Sequence, residues 1–167
     1  MSKQIPNRNS EIEVTREEVI QHGIRIFQSI GATHICDVCI RTGNSCCFAC
    51  AHLKDESGCQ CRNTACTAWL CGLQKFLFDQ VGLLNEWESF WEQVPGQLFR
   101  KDRTPVKFKM SVSLSSENLD DEAGKLIANY LDSYVKQGGD LGELERFLDK
   151  MYTLQKLEEL EQKREED

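Results

Sequence analysis

All nine cysteines of the 167-residue chain fall in one stretch, from Cys36 to Cys71. Their spacing is Cys36-x2-Cys39, then Cys46-Cys47-x2-Cys50, then Cys59-x-Cys61, then Cys66 and Cys71, with His34 and His52 close by. Thiolate is a soft ligand that suits zinc, copper(I) and iron–sulfur clusters. A C-x2-C turn lets two sulfurs converge on one ion, and structural zinc takes four such ligands in a tetrahedron. Cys36 with Cys39 is one ready pair and Cys47 with Cys50 a second, while Cys46, Cys59, Cys61, Cys66 and Cys71 leave sulfur for a further site. All nine are therefore candidate ligands. Zinc is the expected metal and an iron–sulfur cluster the alternative, with neither ferredoxin-type spacing present. The competing reading is that a free cysteine is only a small buried hydrophobe. It applies first to Cys66 and Cys71, which fall on a helical stretch. His34 and His52 are expected beside the site rather than in it, because thiolates already suffice. His22, inside the first helix, has no assigned role.

The pattern of Cys36, Cys39, Cys46, Cys47, Gly58, Cys59, Arg62, Cys66 and Cys71 resembles a bacterial cysteine-rich family of zinc- or iron-chelating domains. That family has a C-x2-C start, an adjacent cysteine pair, a later Gly-Cys, an arginine and terminal cysteines. The chain departs from it in a longer gap before Cys46, in the additional Cys50 and Cys61, and in having no proline after Arg62. The resemblance covers about a fifth of the chain and implies metal chelation.

Other chemistry is thinner. A cysteine nucleophile beside a histidine base would make a thiol-dependent enzyme, but it would compete with neighbouring thiolates for metal. No phosphate-cradling glycine loop, H-E-x-x-H or G-x-S-x-G occurs. The segment QLFRKDRTPVKFK carries Arg100, Lys101, Arg103, Lys107 and Lys109, with Phe99 and Phe108 interleaved. Basic side chains among aromatics can follow a phosphate backbone and stack on bases. The plainer reading is a solvated connection between helices. Trp69, Trp87 and Trp91 read as core residues, the last two forming one helical stripe.

Helices must position these groups. Thr15 with Glu18 forms a capping box before Val19, Ile20, Ile24, Phe27 and Ile30, which predicts a helix over 16–30 ended by Gly31. The cysteine block is rich in Gly, Asn, Ser and Asp and lacks a sustained period, so a loop-rich, cross-linked segment is expected. Trp69, Leu70, Leu73, Phe76, Leu77, Val81 and Leu84 predict one helix over 64–84, capped by Thr64 or Thr67. A shorter helix is expected over 86–94, with Asn85 and Glu88 as its capping pair and Pro95-Gly96 as its end. Alternation in PVKFKMSVSL predicts a short strand within 105–114. Two helices follow, over 118–137, capped by Ser116 or Asn118, and over 141–167. The leucines of the last one suit a coiled-coil seam, or a face packed on the chain's own body, the expected arrangement for 141–157, with 158–167 exposed.

Charge is uneven. The net charge is −7, yet residues 110–167 hold seven positive and fifteen negative side chains, while the preceding residues are close to neutral. An acidic chain is a poor non-specific nucleic-acid binder. No apolar run reaches the length of a membrane span. The start MSKQIPNRNSEIEV lacks the basic-then-apolar pattern of a secretory signal, so a reducing cytoplasm is expected, where structural disulfides are rare.

The expected architecture is mainly α, with helices packed around a loop-rich, metal-stabilised cysteine module. Residues 1–13 form a flexible leader, 14–115 a cysteine-rich metal-binding domain with flanking helices, and 116–167 a C-terminal helical pair with an acidic tail. The expected function is a small cytosolic metal-binding protein, its metal structural zinc. It would act as an interaction or regulatory accessory factor, a DNA-associated role included, with self-association or a protein partner through the C-terminal helix. An iron–sulfur redox or sensing protein and a thiol-dependent enzyme are the alternatives.

Overall fold

The capping box forms as its residues dictate. The Thr15 hydroxyl accepts the Glu18 amide at 3.2 Å, and the Glu18 carboxylate accepts the Thr15 amide at 2.7 Å. Helix α1 (Arg16–Ser29) starts there and buries Val19, Ile20, Ile26 and Phe27. Ile26, outside the expected apolar set, is fully buried, while Ile24, within it, is only partly buried. The computed structural model describes residues 11–44, 62–98, 102–111 and 113–166, and the backbone alone of 53, 54, 58 and 59. Most of the expected leader, Cys46, Cys47, Cys50, Cys61, His52, Phe99, Arg100, Lys101 and the Cys59 side chain lie outside the described residues.

Gly31 ends α1 in the left-handed region, at φ 77°, and serves at once as the N-cap of α2 (Ala32–Arg41). Only glycine suits both demands. A β-carbon there would lie 2.6 Å from the Asp121 carbonyl oxygen and 3.1 Å from the α-carbon of Gly124. Helix α2 carries Cys36 and Cys39, so the first C-x2-C pair is helical and not part of a loop. The loop-rich expectation fails here because Ala32, Ile35 and Val38 are buried on one face of the segment. A short antiparallel pair, β2 (Leu53–Lys54) and β3 (Gly58–Cys59), lies further along the cysteine block.

The single helix expected over 64–84 is two. Helix α3 (Thr64–Ala68) is capped by Asn63, whose side-chain oxygen accepts the Cys66 amide at 2.8 Å. Thr64 and Thr67 are instead buried. The chain then turns extended at Trp69, and α4 (Gly72–Gln80) begins with Cys71 as its N-cap. The break has a physical cause. The Ala68 carbonyl is taken by the Trp87 indole N–H at 2.8 Å, which compensates a carbonyl that the interrupted helix leaves open.

Helix α5 (Leu84–Glu92) starts from Leu83 without a side-chain cap, so the Asn85–Glu88 pair is not used as expected. The N-terminal strand β1 (Ile12–Thr15) falls partly within the expected leader. It pairs antiparallel with β4 (Lys107–Met110), in the register Ile12 to Met110 and Thr15 to Lys107. Helix α6 (Glu122–Lys136) begins later than expected. Asn118 has a left-handed backbone, φ 58°, and is not the cap. Helix α7 (Leu141–Glu165) is capped by Asp140, whose carboxylate accepts the Glu143 amide at 3.0 Å.

One apolar cluster runs through these elements, from Val19 and Ile26 through Ile35, Leu73, Leu77, Phe78, Trp87 and Trp91 to Ala128, Leu131 and Leu141. Trp87 and Trp91 are in it, as expected, whereas Trp69 is about half exposed. Helix α6 lies on α2, and α7 lies on α4. Helix α7 brings apolar side chains to the core by its first turns, and further along it reaches the body through polar contacts, Tyr152 to Asp79 at 3.0 Å and Lys156 to Glu88 at 2.9 Å. Leu141, Leu144 and Leu148 meet the core, but Met151, Leu154 and Leu157, expected to pack, are exposed, as are Phe147 and Leu160. The helix outruns the body it rests on. No described helix is long and apolar enough to cross a membrane.

Candidate metal centre

The helical placement of Cys36-x2-Cys39 puts both thiols on one face of α2, a single turn apart. Cys71 approaches from the start of α4. The break after α3 makes this approach, because Cys71 has an extended backbone and supplies no capping bond to α4. The cap comes from elsewhere. Glu145 of α7 accepts the Gly72 amide at 2.9 Å, a carboxylate at the positive end of a helix. Gly72 allows α7 this close. A β-carbon on it would lie 2.2 Å from the Glu145 carbonyl oxygen and 2.5 Å from the Asp149 amide nitrogen. Lys75 and Asp149 close the same seam at 2.6 Å.

The electrostatics bind these thiols into one group. Burial pushes the Cys36 thiol up to about 11, and the Cys71 thiolate adds to the shift. Arg62 and a hydrogen bond from Gln74 act in the opposite direction, while Asp37 adds to the rise. Cys39 is pushed up to about 12, again mainly by burial, then by Cys71, Cys36 and Glu145. Without a cation, Cys36 and Cys39 are held as neutral thiols. With one, the same desolvated corner favours ion–thiolate bonding, because few waters compete and each thiolate's charge is neutralised.

Two neighbours support the thiolate form. The Gln74 side-chain N–H donates to the Cys36 sulfur at 3.2 Å. Arg62 rests its guanidinium 5.2 Å from the centre of the Phe27 ring, close enough to Cys36 to favour its charged form. Gln74 and Glu145 escaped the sequence reading. The only signal for Gln74 was an amide in the middle of an apolar helix face. For Glu145, one acid among many on an amphipathic helix, there was none.

Thiol sulfur is the donor that soft metal ions take. Among the described residues no three Cys, His, Asp or Glu side chains close tightly enough on one point to hold an ion by themselves. Cys46, Cys47, Cys50, Cys59 and Cys61 belong to the chain segment that connects α2 to α3. Cys66 is a partly buried free thiol on α3.

The remaining candidates have mainly structural surroundings. His34 faces Asp121, the N-cap of α6, at 3.3 Å, and His22 bonds the Leu114 carbonyl at 2.8 Å. In the basic segment, Lys107 pairs with Glu13 at 3.5 Å and Lys109 with Glu11 at 4.0 Å, and the Arg103 amide donates to the Gly96 carbonyl at 2.9 Å. Asp102 and Thr104 tie the same segment to α3. Asp102 accepts the Thr64 and Thr104 amides at 3.1 and 2.9 Å. Thr104 donates its hydroxyl to the Pro95 carbonyl at 2.6 Å, so the 2.9 Å contact between hydroxyls is donated by Thr64. Phe108 is partly buried against the core. In comparisons with known proteins, no family model, curated protein or solved structure matches this chain.

Proposed function

We propose that this is a small metal-binding protein in which cysteine thiolates hold a structural zinc ion, and that the cross-linked body serves to present an interaction surface. One observation carries the reading. Thiols from α2 and from the cap of α4, far apart in sequence, are gathered into one desolvated corner, close enough that Cys71 raises the pKa of both Cys36 and Cys39. Cys36 with Cys39 or Cys71, and not all three at once, would supply part of the shell, and further cysteines of the chain the rest. Bound there, the ion would tie the segment between α2 and α3 to the helical body and supply folding energy that its few apolar side chains cannot.

The surface on offer is apolar. Met151, Leu154, Leu157 and Leu160 are exposed along α7 at three-residue steps, a continuous apolar stripe that suits a helical protein partner. The glutamates opposite Lys107 and Lys109 weaken the positive field of the basic segment, which weighs against nucleic acid.

Elemental analysis of native protein purified without oxygen, together with its visible spectrum, tests the metal. The expected result is stoichiometric zinc and no visible absorption. Stoichiometric iron with sulfide bands would replace zinc by a cluster. Protein carrying no stoichiometric zinc, iron or copper would end the proposal.

A further inference from the structure

Beyond its first turns, helix α7 is amphipathic the wrong way round. Its polar side chains meet the body. Asp149 pairs with Lys75 at 2.6 Å, the Tyr152 hydroxyl donates to Asp79 at 3.0 Å, and Lys156 pairs with Glu88 at 2.9 Å. Its apolar side chains Phe147, Met151, Leu154, Leu157 and Leu160 are each about half exposed. A helix lying on its own body ordinarily buries its apolar face. The pattern of the row says what covers it. The row is nearly symmetric about Leu154, with Met151 three residues before it and Leu157 three after, then Phe147 seven before and Leu160 six after. Charge is opposed about the same residue. Arg146 and Lys150 before it are answered by Glu158 and Glu161 after it, and Glu143 by Arg164. All six charged side chains are exposed.

We infer, resting on the interaction-surface reading above and not on the metal, that the partner is a second copy of this chain. Its α7 lies antiparallel across the first, with Leu154 packed on Leu154 at a two-fold axis. In that register Met151 shares a layer with Leu157 of the second copy, and Phe147 lies level with the turn that carries Leu160 and Glu161. Arg146 and Lys150 come beside Glu158 and Glu161 of the second copy, and Glu143 beside Arg164. A parallel, in-register pair would set Lys150 against Lys150 and Glu161 against Glu161, so charge selects the antiparallel arrangement. Three-residue steps fall about 60° short of a full turn, so the row winds around α7. Two such rows keep contact when the helices cross in the left-handed sense of a coiled coil. A two-fold contact of this kind is self-complementary and closes on itself, which gives a dimer and no filament.

Analytical ultracentrifugation of the reduced full chain tests the dimer, which is expected at micromolar concentration. Leu154→Glu sets two carboxylates against each other at the axis and should weaken it by about 30-fold or more. Lys150→Glu and Glu158→Lys should each weaken it by about 3–10-fold. Combined in one chain, these two restore opposite charges across the antiparallel pair, and affinity should return close to the wild-type value. All three positions are exposed, so each variant should keep the circular dichroism of the wild-type fold. A dimer untouched by Leu154→Glu, or a combined variant no tighter than the single ones, overturns the inference. So does a wild-type chain that stays monomeric at its highest soluble concentration. NMR of isotope-labelled wild-type protein in a concentrated cell extract decides the wider reading separately. If α7 signals broaden there while those of α1 do not, a monomeric chain still has a protein-binding surface, with a different partner. If no α7 signal responds, that reading ends as well.

Discussion

Helix α4 serves two regions built on different physics. Toward one side, Leu77 and Phe78 enter an aromatic core, where the Phe78 and Trp87 rings meet edge-on at 4.7 Å and Phe90 and Trp91 at 5.3 Å. Toward the other, Cys71, Gly72 and Gln74 form a corner with α2 and α7, lined by sulfur, an amide and the Glu145 carboxylate. The aromatic core is stabilised by area removed from water and asks for no ligand. The sulfur corner is buried too, but burial there works against its own groups as soon as they ionise. Its stability depends on the state of its sulfurs, and a bound cation would reverse the sign of that dependence.

The largest effect expected on either side is in the aromatic core. Trp87→Ala removes the ring packed on Phe78 and the donor to Ala68 and should cost about 3–5 kcal/mol by chemical denaturation. The loss should be the same with and without metal, and a metal-dependent loss would break the division between the two regions.

Next comes the seam beside the sulfur corner. Gly72→Ala forces a β-carbon into the α7 backbone and should cost about 1–3 kcal/mol. Amide exchange should accelerate in α4 and α7 while α1 and α5 stay protected. Uniform acceleration would show that α7 is no separate seam.

The smallest change per group is a pH dependence, and it sharpens the comparison most. Thiols in the unfolded chain ionise near the ordinary 9.0, whereas Cys36 and Cys39 in the folded chain wait until about 11 and 12. Above 9 the unfolded state binds fewer protons than the folded one, so metal-free protein loses stability as pH rises through that window. The loss is about 1 kcal/mol per thiol one unit above the ordinary value. In metal-loaded protein the ligands are already thiolates, so this alkaline loss should disappear and stability should instead fall as the solution is acidified. Melting temperatures at several pH values, with and without zinc, check both directions. Trp87→Ala should leave the alkaline slope unchanged.

Several elements were legible because local chemistry and burial agree. The Thr15–Glu18 box begins α1 where the residues say it must, and the Trp87–Trp91 stripe marks α5. The break between Ala68 and Gly72 was not legible. The apolar pattern runs straight across it, and the bond that compensates the interruption comes from Trp87, far along the chain. The helical state of Cys36 and Cys39 was obscured for a similar reason. Turn-forming residues dominate the block as a whole, while Ile35 and Val38 decide its first part by packing. Strand β1 exists because β4 lies beside it, and a short polar segment carries no sign of a partner that distant.

By itself, the sequence determined that sulfur is confined to one stretch, that the negative excess gathers in the last third, and that amphipathic helices surround the cysteines. Composition and periodicity are local properties, and each residue carries its share of them. Which thiols meet, which amide reaches sulfur and which carboxylate caps α4 were decided by the tertiary structure alone. Those pairings join atoms on different helices, and their distances follow from how the whole core packs.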